Sequence, residues 1–150
     1  MTALLDDRAL LARLVSFNTV SRTSNLEIVD YLSDYLQRPD VRLFRNPSAD
    51  GNKTNLIVMA GPTDSARRGL VLSGHLDVVP AEEPEWRSDP FIMVDEGERY
   101  VGRGTADMKG FVALAVNRFA ALTTDRLQYC LLYTSPSPRD TERSRMPSSA

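Results

Sequence analysis

Gly69-Leu-Val-Leu-Ser-Gly-His-Leu-Asp-Val-Val-Pro80 is the stretch of sequence that decides the fold. Its first part is an apolar, partly β-branched run, which predicts a buried central strand over residues 70–72. Positions i and i+2 of an extended backbone share a face, so His75 and Asp77 are expected side by side, with Leu76 pointing into the core. Because open α/β sheets bind ligands at the C-terminal ends of their strands, this pair is a candidate functional site.

A second motif supplies another carboxylate. Arg99-Tyr-Val-Gly-Arg-Gly-Thr-Ala-Asp-Met-Lys-Gly110 reads as a short strand, a glycine-containing turn and then Asp107 just ahead of an apolar helix. If the two strands are neighbours, Asp107 converges on the His75 pair. A lone His-x-Asp pair is usually a structural contact without chemistry, so the second carboxylate is what favours a metal site.

The glycines of the second motif do not form a phosphate cradle. A dinucleotide fingerprint requires a third glycine at position 107, which is Asp107 here, and a P-loop requires Gly-Lys-Ser/Thr, which residues 108–110 do not supply. The pair Gly102 and Gly104 instead predicts a tight turn that brings the Asp107 backbone close to the site.

Taken together, residues 73–80 and 102–110 resemble the two N-terminal metal motifs of the M20 metallopeptidase family. Trp86, Pro90 and Phe91 lie between them, as in that family's W-x-x-x-P-F segment. The resemblance implies an α/β fold, namely the N-terminal part of a zinc-peptidase-like catalytic domain with a mixed sheet flanked by helices, here truncated.

The resemblance also implies a chemistry. It implies a metal-dependent amide hydrolase with two Zn²⁺ per site in the full-length parent, Co²⁺ being possible, that acts on a small N-acyl amino acid. His75 would bind one ion and Asp107 would bridge both. Asp77 would be the catalytic residue that orients His75. A cis Asp107–Met108 peptide is implied as well.

Other parts of the family's machinery are expected to lie outside this sequence. Family members supply a Glu-Glu general base and further ligands downstream, whereas Asp125 is the only acidic residue between Asp107 and position 130. The fragment itself is therefore expected to be inactive, and the parent is expected to be a homodimer through a domain absent here. A runner-up of another class is a non-catalytic α/β module with a structural His-Asp pair.

Composition narrows the function classes. A length of 150 residues suits one domain, and a net charge of −2 gives no basic field for nucleic acid or an anionic membrane. No apolar run approaches a membrane span, and the N-terminus lacks the basic region of a signal peptide. These features, with one cysteine, predict a cytoplasmic protein.

Periodicity predicts the remaining elements. Helices are expected over residues 6–17, from a capping box at Ser24 and Glu27 to Pro39, and over residues 109–122, the last largely buried. Strands are expected over residues 41–44 and 55–60, with a hairpin of residues 91–94 and 100–101. The acidic loop around Glu82 is expected to be solvated.

The last 21 residues do not read as part of this fold. Back-translated with one codon choice, residues 130–140 and 144–150 resemble a sequencing-library adapter. The predicted organisation is therefore residues 1–129 as the N-terminal part of the catalytic domain and residues 130–150 as a non-native, disordered tail. Three prolines and few apolar residues support the expectation that the tail packs against nothing.

Overall fold

A computed structural model describes residues 4–62, 69–82, 84, 86–122, 127 and 130–135. The helices are α1 (Asp7–Val15), α2 (Leu26–Leu36) and α3 (Gly110–Ala121). The strands are β1 (Val41–Pro47), β2 (Thr54–Ala60), β3 (Leu70–Ser73), β4 (Val94–Asp95), β5 (Tyr100–Val101) and β6 (Leu131–Ser135). An irregular turn, Thr105–Lys109, leads into α3 and is called the Asp107 turn below.

The main sheet is mixed and has the order β1-β2-β6-β3. β2 pairs antiparallel with both β1 and β6, whereas β3 runs parallel to β6. β4 and β5 form a separate two-stranded hairpin, shorter than the one expected from the sequence. The predicted fold class, a mixed sheet flanked by helices, is confirmed.

One core joins the three helices to the sheet. Alternate residues of β2 are buried, as the period of a strand packed on one face requires. They meet the apolar stripes of the helices, whose buried members include Leu10, Leu14, Ile28, Leu32, Val112, Val116 and Phe119. The side chain of Asp6 caps α1 by accepting a hydrogen bond from the amide of Ala9 at 2.7 Å.

The helix ends differ in detail from the prediction. The expected capping box at Ser24 and Glu27 is wrong, because the N-cap of α2 is Asn25 and its side chain makes no cap hydrogen bond. Asn25 instead exchanges two hydrogen bonds with the backbone of Thr54, which ties the start of α2 to the start of β2. α3 is only partly buried, since Phe111 and Leu114 are exposed on its outer side.

β3 is not the buried central strand that its apolar sequence predicted. It lies at the edge of the sheet, and Leu70 and Val71 are 59% and 55% exposed. The apolar run indicates only that these side chains are suited to burial. In the described part of the chain β6 alone pairs with this strand, so the other edge of β3 is uncovered. The expectation is therefore wrong for this chain.

The expectation that residues 130–150 lack regular structure is wrong for β6. This strand lies between β2 and β3, where Tyr133 is opposite Val58 on one side and Leu72 on the other. Tyr133 is completely buried. The unpaired backbone edges of β2 and β3 need a partner, and an apolar extended segment satisfies both. Residues 136–150 lie outside the described residues, and the adapter origin of the segment stays a prediction.

Candidate metal centre

His75 stands just beyond the C-terminal end of β3, as predicted. Its Nδ1 atom lies 2.9 Å from the carbonyl oxygen of Asp77 and 3.4 Å from the carboxylate Oδ1 of the same residue. Its Nε2 atom lies 3.0 Å from Oδ1 of Asp107. Leu76 points the other way and is 1% exposed. The two ring nitrogens therefore face different partners, and the three predicted site residues converge.

Asp107 reaches this place by a different route from the one expected. β5 pairs with β4 outside the main sheet, so the strand before Asp107 is not a neighbour of β3 and the condition considered from the sequence is not met. The Asp107 turn carries the carboxylate instead. The Asp107–Met108 peptide is cis, which the family resemblance implied.

A left-handed glycine opens the Asp107 turn. Gly104 has φ +88°, and a Cβ atom there would lie 2.8 Å from Cγ1 of Val78. Only glycine combines that backbone angle with so close an approach to the His75 motif. The predicted tight turn at the glycine pair is confirmed at Gly104.

Lys109 ends the Asp107 turn as a buried cation. Its side chain is fully buried, and its Nζ atom donates a hydrogen bond to the carbonyl oxygen of Phe17 at 2.8 Å. Burial lowers the pKa of the Lys109 ammonium to about 8. This lysine stands within the second motif, but its role as a tether did not follow from the sequence, since a lysine beside a candidate site is usually solvated.

The segment of residues 17–21, which we call the strap, follows α1 and lies along the His75 motif. The amide of Val78 donates to the carbonyl of Thr19, and the amide of Ser21 donates to the carbonyl of Val78, each at 3.0 Å. The hydroxyl of Ser21 donates to Oδ2 of Asp77 at 2.7 Å. No spacing or motif in the sequence signalled this contact, which joins residues 56 positions apart.

The residues present fit part of a zinc site. Imidazole nitrogen and carboxylate oxygen are ordinary zinc ligands at about 2.0–2.2 Å, and two atoms 3.0 Å apart can both lie at that range from one ion. In the part of the chain that the structure describes, no third His, Cys, Asp or Glu joins them in a cluster able to hold a metal. Glu82 is exposed, as expected, and Asp125 lies outside the described residues.

Comparison with protein families identifies the relationship. Residues 71–132 match the family described as Peptidase family M20/M25/M40. The resemblance to the M20 family is confirmed. Acetylornithine deacetylase of Buchnera aphidicola subsp. Acyrthosiphon pisum (strain Tuc7) is 30% identical over 86% of this chain and 33% of its own length. The enzyme of the same name from Pasteurella multocida (strain Pm70) is 34% identical over 69% of this chain and 27% of its own.

Solved structures give the same fold. Human carnosine dipeptidase 1 is similar with a TM-score of 0.70 and 24% identity, over 90% of this chain and 32% of the other. The M20 family metallo-carboxypeptidase Sso-CP2 from Sulfolobus solfataricus has a TM-score of 0.66 and 20% identity, over 89% and 31%. The chain described here thus spans about a third of the length of the relatives it matches. Within its described residues, none of the helices is both long and apolar enough to span a bilayer.

Proposed function

We propose that this chain is the N-terminal part of a two-zinc amidohydrolase that removes the acyl group from an N-acyl amino acid. The observation that carries the proposal is the 3.0 Å approach of His75 Nε2 to Asp107 Oδ1, made by two residues 32 positions apart. The match to the M20 family supports it. So does the likeness to enzymes named acetylornithine deacetylase.

Three side chains have defined roles in this proposal. His75 would hold a zinc ion through Nε2, while its Nδ1 atom faces two oxygen atoms of Asp77. Because those oxygens only accept hydrogen bonds, Nδ1 is the nitrogen that donates to Asp77, and Nε2, which faces Oδ1 of Asp107, is the nitrogen left to face a metal ion. Asp107 has two carboxylate oxygens and would therefore be able to hold both ions. Asp77 holds the orientation of the His75 ring.

Bound zinc would lower the pKa of a metal-bound water toward ~7 and polarise the amide carbonyl of the substrate. Amide hydrolysis also needs a general base that brings a proton to the leaving amine. By the family resemblance, a Glu-Glu pair of the longer parent supplies this base. The 150-residue chain is accordingly expected to be inactive alone.

The proposed substrate is N-acetylornithine, cleaved to ornithine and acetate in arginine biosynthesis in the cytoplasm. The names of the curated relatives support this choice. Alternatives within the family are succinyl-diaminopimelate desuccinylase and other aminoacylases or carboxypeptidases. We also propose that the longer parent is a homodimer.

Zinc titration of the chain tests the metal site directly. His75 is the only histidine, so its imidazole gives one unambiguous set of NMR signals. Replacing the single thiol, Cys130→Ser, removes a competing ligand. We expect Zn²⁺ to shift the His75 ring signals at saturable concentration, and we expect Asp107→Asn to weaken that effect at least tenfold.

Glu82→Gln is the matched control for that titration, because it neutralises an exposed carboxylate outside the site. It should leave the zinc response unchanged. A His75 ring that ignores zinc, or an equal loss in the Glu82 and Asp107 variants, would favour the non-catalytic module with a structural His-Asp pair.

The parent's substrate needs a second experiment. The gene should be extended past residue 129 and the longer enzyme assayed with N-acetylornithine and N-succinyl-diaminopimelate. We expect a Glu-Glu pair within the next few dozen codons and a preference for the acetylated substrate. A parent that lacks that pair would contradict the proposed chemistry.

A further inference from the structure

We infer that Ser21 is a positioning residue for the metal centre, acting on His75 through Asp77. This inference rests on the proposed function, because its purpose is to present Nε2 of His75 to a metal. Its physical basis is nevertheless a set of contacts within the metal-free chain.

Ser21 fixes one oxygen of the Asp77 carboxylate. Its hydroxyl donates to Oδ2 at 2.7 Å, which leaves Oδ1 on the side facing Nδ1 of His75 at 3.4 Å. The Asp77 side chain is only 15% exposed, so water competes poorly for these oxygens. A hydrogen bond to a charged acceptor is stronger than a neutral one, which suits it to hold the carboxylate in one orientation.

Ser21 is itself held by the backbone around it. Its amide donates to the carbonyl of Val78 at 3.0 Å, and Val20 pairs with Val78 in a parallel bridge. Its carbonyl accepts a hydrogen bond from Nζ of Lys53, next to the start of β2. The backbone of Ser21 is therefore held by hydrogen bonds from two other segments. Because the hydroxyl projects from this fixed backbone, its hydrogen bond limits how far the Asp77 carboxylate can rotate.

The strap offers a matched comparison at Thr19. The hydroxyl of Thr19 also donates to the His75 motif, to the carbonyl of Leu76 at 2.6 Å, and its side chain is buried. Its single hydroxyl proton goes to that carbonyl and not to the Asp77 carboxylate. Ser21 and Thr19 thus separate two roles: a hydroxyl that orients the carboxylate and a hydroxyl that only anchors the strap.

The test is the exchange of the His75 Nδ1 proton with water, measured by ¹⁵N-edited NMR on the metal-free chain at one fixed pH. Ser21→Ala should speed this exchange several-fold, because the freed Asp77 carboxylate can turn away from Nδ1 and leave the Asp77 carbonyl oxygen as the partner that remains. Ser21→Thr keeps the hydroxyl and should restore the wild-type rate. Thr19→Val should lower stability yet leave the exchange rate unchanged.

Two further variants make the result specific. Asp77→Asn should raise the exchange rate as Ser21→Ala does, and the double variant should show no additional effect, since both act through one carboxylate. If Ser21→Ala does not fold, Ser21→Cys keeps a similar volume with a weaker donor and should give an intermediate rate.

An unchanged exchange rate in Ser21→Ala, or an equal rise in Thr19→Val, would overturn the inference. A zinc titration of the same variants then distinguishes a failure of this inference from a failure of the proposed function. If zinc binds the wild-type chain, Ser21→Ala should weaken it about tenfold, the lower end of the usual effect for groups that orient metal ligands. If zinc leaves the wild-type ring unperturbed, the proposed function fails while the exchange measurement still decides the role of Ser21.

Discussion

The buried ammonium of Lys109 donates to the carbonyl oxygen of Phe17 at 2.8 Å, a contact between residues 92 positions apart. It joins the Asp107 turn to the strap, and the strap in turn pairs with the His75 motif. The two halves of the candidate metal centre are thus connected through a third segment rather than through adjacent strands.

Two substitutions of Lys109 should distinguish the stability contributed by its hydrogen bond to Phe17 from the stability contributed by the packing of its side chain. Lys109→Met keeps most of the volume but leaves the Phe17 carbonyl without its donor, which should cost about 1–1.5 kcal/mol. Lys109→Ala also opens a cavity and should cost about 3 kcal/mol. Urea-induced unfolding at pH 7 measures both. Equal losses in the two variants would mean that the hydrogen bond, not the volume, carries the effect.

Tyr133→Phe should leave the chain as stable as before or raise its stability by up to about 1 kcal/mol. The hydroxyl of Tyr133 is buried and has no hydrogen-bond partner among the described residues, so removing it removes a desolvation cost. Tyr133→Ala is the contrasting variant and should cost about 3 kcal/mol or more through the cavity it leaves. Thermal unfolding compares the three chains, and a clear loss in Tyr133→Phe would reveal a partner for the hydroxyl.

Tyr133 should also make the stability of the folded chain depend on pH. Burial raises the pKa of the Tyr133 phenol above its ordinary value of 10.0. Above about pH 10 the unfolded chain releases this proton while the folded chain keeps it, so stability falls as pH rises. Below that pH the residue contributes no slope. Wild type should therefore lose stability between pH 10 and 11 more steeply than Tyr133→Phe, and parallel curves would contradict this assignment.

Truncation should show that β6 is part of the folded sheet. Removing residues 130–150 deletes the strand between β2 and β3 and should lower the melting temperature sharply or abolish folding. Removing only residues 136–150, which include three prolines and one large apolar side chain, Met146, should leave it unchanged. Circular dichroism on heating compares the two, and equal stability of both truncated chains would contradict the central position of β6.

The 150-residue chain should hydrolyse neither N-acetylornithine nor N-succinyl-diaminopimelate, with Zn²⁺ or Co²⁺ added. Among the described residues, the His75 and Asp107 pair has no third ligand, and no Glu-Glu pair follows Asp107 in the sequence. His75→Ala should therefore change nothing in this assay. The full-length Pasteurella multocida relative named acetylornithine deacetylase serves as the positive control. Turnover by the chain itself would show that the assigned roles are wrong.

Local sequence was sufficient for much of the site. The one-residue spacing of His75 and Asp77 predicted adjacent side chains because extended backbone alternates its faces. Gly104 predicted the tight turn before Asp107 because a left-handed conformation favours glycine. The helices and β2 followed from periodicity, since each buries one apolar face.

Only the tertiary structure decided how those parts meet. It brought Asp107 to His75 through a turn rather than a neighbouring strand, and it placed Ser21 on Asp77. Such contacts depend on the packing of segments far apart in the chain. A single hydroxyl group adds nothing to the periodicity of the sequence, so the sequence does not indicate its hydrogen-bond partner. The position of β6 also depended on the tertiary structure. The unpaired backbone edges of β2 and β3 determined where this strand lies, and the sequence of residues 131–135 gives no information about those edges.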